Sequence, residues 1–74
     1  MATVRIGSAV TLQLGQGDEP EHWKIVDASE ADATRGVISP ETPLARALIG
    51  HQAGETVQVR GPESRYTVTI LDVV

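Results

Sequence analysis

The sequence has no cysteine and no phenylalanine, and its aromatic residues are one Trp and one Tyr. Without cysteine, neither a disulfide framework nor a thiolate metal site can form, which agrees with a reducing compartment. With so few aromatics the core must come from Val, Ile and Leu. No apolar run approaches membrane-spanning length. The opening Met1-Ala2-Thr3-Val4-Arg5 lacks the pattern of a signal peptide, so a cytoplasmic protein without membrane contact is expected. Basic residues are also scarce, six Lys and Arg against ten Asp and Glu, a net charge of −4. That argues against direct contact with nucleic acid, because overall no phosphate-neutralising surface is available. An acidic domain is better suited to a basic or mixed protein surface, although −4 is also an ordinary solubility charge.

Signatures of chemistry are missing too. His22 and His51 are far apart and lack metal-ligand spacing. The acids gather at Asp18, Glu19 and Glu21 and again at Asp27, Glu30 and Asp32. Neither run has the alternate ligands and central glycine of a calcium loop. Gly15-Gln16-Gly17 is half of a dinucleotide fingerprint and leads into no helix. No catalytic residue, cofactor or metal is therefore expected.

What is present is strand pattern, over a length that suits one domain spanning 1–74. Val4 and Ile6 alternate around Arg5 before Gly7-Ser8 breaks the run. Val10, Leu12 and Leu14 then alternate with Thr11 and Gln13, the mark of a half-buried strand. A turn cluster at 15–21 precedes a second strand, 22–27, with Trp23 and Ile25 on one face. These two strands are expected to pair antiparallel. The polar stretch 27–36 offers one helical turn, with Ser29 and Asp32 as a capping pair and Gly36 to close it. Val37-Ile38-Ser39 is a short strand. After the turn at 61–64, the strand 65–74 follows strand 56–60. Its apolar phase slips after Ile70, where Leu71 and Val73 take over, so a bulge is expected there.

The one convincing helix signal is Thr42 to Gly50. Thr42 can cap, Pro43 suits the first helical position, and Gly50 suits the exit. Leu44, Ala47 and Leu48 form an apolar stripe and Arg46 points away. So short a helix is unstable alone. It must be held by packing Leu44, Leu48 and Ile49 on a sheet. The fold class is thus α+β, a two-layer domain of about five mostly antiparallel strands with one short helix packed on the sheet. Pro40-Glu41-Thr42-Pro43 makes a stiff, exposed approach to that helix. Stiff loops lose little entropy on docking, so this loop is a candidate binding surface.

The order of motifs resembles the C-terminal domain of bacterial Gre-type transcript cleavage factors. The residues that carry the resemblance are Ile6-Gly7-Ser8-Ala9-Val10-Thr11-Leu12, Trp23-Lys24-Ile25-Val26-Asp27 with Glu30-Ala31-Asp32, Ile38-Ser39 with Thr42 to Gly50, and Gly54-Glu55-Thr56-Val57. The resemblance implies an FKBP-like fold. It also implies docking to bacterial RNA polymerase at the coiled coil rimming the secondary channel. Carried over to this chain, the docking residues are Glu41, Thr42 and Pro43, with Leu44 and Arg46 beside them. Thr42 stands where the family usually has Ser, which keeps the hydroxyl and adds a methyl. The family's N-terminal coiled coil has no counterpart in these residues, so the chain alone is not expected to stimulate transcript cleavage. It is either a domain of a longer factor or a short relative that occupies the same polymerase site.

Three other readings compete. The chain regulates another enzyme, such as nucleoside diphosphate kinase. It is an FKBP-type prolyl isomerase, which the lack of aromatics opposes. Or it is a structural domain without a partner. The edge strands leave dimerisation open.

Overall fold

A computed structural model describes residues 2–15, 19–61 and 65–74, and the side chain of Ala33 is not described. The turn clusters read at 15–21 and 61–64 fall partly outside these residues, as do Asp18 and most of Gly15-Gln16-Gly17. Five strands form one sheet: β1 (Ala9–Leu14), β2 (Glu21–Ile25), β3 (Val37–Ile38), β4 (Thr56–Arg60) and β5 (Arg65–Val73). Their order across the sheet is β3-β2-β1-β5-β4. The β2–β3 pair is parallel and the other three pairs are antiparallel. The one α-helix among the described residues, α1 (Pro43–Leu48), lies between β3 and β4 in the chain and packs chiefly against β4.

Period-two alternation decides which face each strand buries. Val10, Leu12, Ile25, Ile38, Val57, Val59, Val68 and Ile70 point to the helix side and are buried. Thr11, Gln13, Lys24, Gln58 and Thr67 occupy the other face by register. The expected phase slip in β5 is a bulge. Thr11 opposes Asp72 and Leu12 opposes Ile70, so Leu71 has no opposite residue. The bulge returns Val73 to the core and leaves Leu71 exposed, so only one of the two residues expected to take over is buried.

Other expectations need correction. Ile6 does not share the face of Val4. Val4 is buried and pairs with the segment after the helix, through Val4 N–H to His51 O at 2.8 Å and Gly50 N–H to Val4 O at 3.0 Å. The chain then turns at 5–8, where Ser8 N–H reaches Arg5 O at 2.9 Å, and Ile6 is 57% exposed. The polar stretch holds two 3₁₀ turns, Ala28–Glu30 and Ala33–Arg35. Ser29 caps neither backbone; its hydroxyl donates to Asp27 Oδ2 at 2.8 Å. Asp32 instead caps the second turn, its Oδ1 accepting from Thr34 N–H at 3.1 Å and from the Thr34 hydroxyl at 2.6 Å. A carboxylate bonding two residues ahead outcompetes the longer-range pair.

The loop after the helix carries a charged clamp. Glu55 Oε1 lies 3.1 Å from His51 Nδ1, and its other carboxylate oxygen accepts from Gln52 N–H. These bonds, the His51 contact first, hold the Glu55 carboxyl below its ordinary value. A depressed folded-state pKa contributes stability above the unfolded value of 4.5, and that contribution disappears as pH falls through the folded value. Thermal melts should therefore separate wild type from Glu55→Gln at neutral pH and bring them together below that range. A gap that persists in acid would remove the carboxylate from the explanation.

Candidate functional site

The turn before α1 is built from backbone outward. Ser39 is buried, and its carbonyl accepts both Thr42 N–H at 3.1 Å and the Thr42 hydroxyl at 3.0 Å. Its own Oγ accepts from Glu41 N–H at 3.3 Å. Thr42 Oγ1 in turn accepts from Ala45 N–H at 3.2 Å, and Thr42 O takes the first helical bond, from Arg46 N–H at 3.0 Å. Thr42 thus sits in extended backbone as N-cap, with Pro43 directly after it. Ser39 O and Thr42 Oγ1 thus take the N–H groups of Thr42 and Ala45, two of the donors that a helix start leaves open, and Ser39 Oγ takes that of Glu41 just before it. The turn is held without help from a partner.

All five residues singled out from the sequence lie on this turn and the helix it opens. Glu41, Pro43 and Arg46 are exposed, while Thr42 and Leu44 are half-buried. Glu41 makes no salt bridge among the described residues. The helix is rotated from the expected stripe. Ala45 and Leu48 are fully buried, Leu44 and Ala47 flank them half-buried, and Ile49 is 37% exposed. The small Ala45 side chain lets the helix approach the sheet closely. Ile49 lies one residue past the last helical position and points away from that contact.

Beside this turn lies an apolar cleft of about 270 Å³, walled by Pro43, Leu44, Leu14, Val59, Trp23 and Tyr66. The chain's two aromatic residues, on β2 and β5, both line it. The Trp23 indole N–H donates to Glu21 Oε1 at 3.0 Å. Glu21 is the charged residue lining the cleft. Sequence reasoning placed Trp23 and Tyr66 on strand faces but did not join them. The available signal was their shared phase with the buried residues at the ends of β2 and β5. Among the described residues no three His, Cys, Asp or Glu side chains converge as metal ligands. No helix of the described residues is long and apolar enough to cross a membrane. The arrangement can do one thing well, which is to receive an apolar side chain against a rigid proline ridge.

Comparison with known proteins matches residues 2–74 to the family described as "Transcription elongation factor, GreA/GreB, C-term". The chain is 41% identical over 70 residues to transcription elongation factor GreA of Limosilactobacillus fermentum, covering 95% of this chain and 44% of that protein. It is 48% identical over 60 residues to GreA of Rhodopseudomonas palustris, covering 81% and 38% respectively. The chain spans less than half the length of these relatives. A solved structure of the transcription factor Gfh1 superposes with a TM-score of 0.84 at 25% identity, over 99% of this chain and 48% of that one. The Gfh1 structure from Thermus thermophilus gives 0.82 at 24% identity, over 99% of this chain and 49% of its own, a likeness of fold.

Proposed function

The chain belongs to the GreA/GreB C-terminal family of transcription elongation factors, and we propose that it docks such a factor onto bacterial RNA polymerase, at the coiled coil rimming the secondary channel. The observation that carries this reading is the apolar cleft beside the prebuilt turn Glu41-Thr42-Pro43. A ridge that is already ordered loses little entropy on association. Thr42, Pro43 and Leu44 wall the cleft, and Glu41 stands exposed in the turn just before them. An aromatic-lined pocket with an apolar centre is the usual seat of an interface hot spot. On this reading the domain is a binding module and not an enzyme, it works in the cytoplasm, and it does not stimulate transcript cleavage by itself.

The test is binding to bacterial core RNA polymerase, with wild type beside Glu41→Lys and Pro43→Ala. Wild type should bind, and each variant should lose about tenfold or more in affinity, equivalent to about 1.4 kcal/mol. Thermal melts should show both variants folded. Failure of the wild type to bind at tens of micromolar would overturn the reading. So would variants that bind as well as wild type.

A further inference from the structure

The apolar cleft has a charged neighbour. A second groove, about 290 Å³, lies at the free edge of β4 beside α1 and is lined by Pro43, Arg46 and Ala47 of the helix and by Gln58 and Arg60, which alternate with the buried Val57 and Val59. Pro43 borders both hollows and forms the ridge between them. The charged residues of this groove are both arginines, both are exposed, and neither has a carboxylate partner among the described residues. Arg60 also stands directly opposite Arg65 across the β4–β5 ladder. Like charges in that position weaken strand pairing. Three of the six Lys and Arg residues of an acidic chain therefore gather around one end of the β4–β5 pair and the helix beside it. Across the apolar cleft the sign reverses. Glu21, on β2, is the charged residue lining it.

We infer that Arg46 and Arg60 form a subsite for a carboxylate side chain of the docking partner, placed beside the apolar residue that enters the cleft. The inference rests on the docking reading above and specifies its chemistry. A guanidinium presents a planar fork of donors that matches a carboxylate, and charge-assisted bonds of this kind are the stronger class. When docking excludes water from the groove, the attraction between the two charges rises. The reversed sign across the cleft sets orientation, since a partner entering the other way round would bring its acidic residue against Glu21. A nucleic-acid strand fits poorly. Two arginines can neutralise about two phosphates, and a backbone continuing along the cleft would meet Glu21. A polypeptide can change charge within a few residues.

Two measurements test this. The first is polymerase binding by Arg46→Glu and Arg60→Glu, with Arg35→Glu as a control of equal charge change at an exposed site away from the groove. Each groove variant should lose about tenfold in affinity and show a flatter salt dependence, while the control binds as wild type does. Groove variants that bind normally would overturn the subsite and leave docking intact. The second measurement follows the arginine Nε–H and Trp23 indole NMR signals during titration with two blocked peptides, one carrying Leu next to Glu and the other Leu next to Lys. The acidic peptide should move Arg46, Arg60 and Trp23 together, and the basic peptide should move Trp23 alone. Arginine signals that ignore the acidic peptide, or respond more strongly to a single-stranded oligonucleotide, would overturn the subsite. If the peptide response appears in a domain that does not bind polymerase, the subsite holds and the polymerase reading falls.

Discussion

Leu48→Ala is expected to lower the unfolding free energy by about 2–5 kcal/mol, the cost of emptying a fully enclosed leucine site. Leu48 is 0% exposed and lies at the contact between α1 and the sheet. The helix is only six residues long and cannot form without that contact. A domain of 74 residues has a total stability of roughly 4–11 kcal/mol, so the loss is a large fraction of the whole. Ile49→Ala is the matched control. At 37% exposure its truncation removes side chain already shared with solvent, and should cost about 1 kcal/mol or less. Urea unfolding of the two variants measures the difference. Equal midpoints would mean that the helix is not anchored through Leu48.

The second large effect is expected at Gly36. Its φ is +72°, and a β-carbon there would sit 2.9 Å from the backbone carbonyl oxygen of His22. The left-handed conformation alone costs a non-glycine residue about 1–2 kcal/mol. The collision is with backbone of β2, which cannot swing aside as a side chain can. Moving Gly36 would also stretch the bond from Lys24 N–H to Gly36 O, 2.8 Å long, that starts the parallel β2–β3 pairing. Gly50→Ala separates the two causes. Gly50 has φ +92°, yet a β-carbon there meets nothing within 4 Å. Gly50→Ala should show the conformational cost alone, and Gly36→Ala a clearly larger loss by denaturant unfolding. Equal losses would remove the collision from the account.

The helix, its cap and the strand alternation were legible because they depend on groups a few residues apart. Thr42, Pro43 and Gly50 act on their own backbone, and the structure places α1 where those three residues bracket it. The bulge was legible as a phase slip, but which residue it would expel was not. Leu71 and Val73 are both apolar, and only the pairing of Thr11 with Asp72 decides between them. The helix rotation was misjudged for a similar reason. The stripe of Leu44, Ala47 and Leu48 maximised apolar area, whereas the sheet selected the side that carries the small Ala45.

By itself the sequence determined one small acidic α+β domain without cysteine chemistry, the order of its strands and helix along the chain, the capped turn at Glu41-Thr42-Pro43, and its resemblance to a family. These follow from backbone preference, alternation and composition, which act locally or over the chain as a whole. Only the tertiary structure decided that Trp23 and Tyr66 line one cleft, and that Arg60 and Arg46 line one groove. Those residues are distant in sequence. They meet because the sheet runs β3-β2-β1-β5-β4 and α1 crosses onto β4, an arrangement set by burial of the whole apolar face at once.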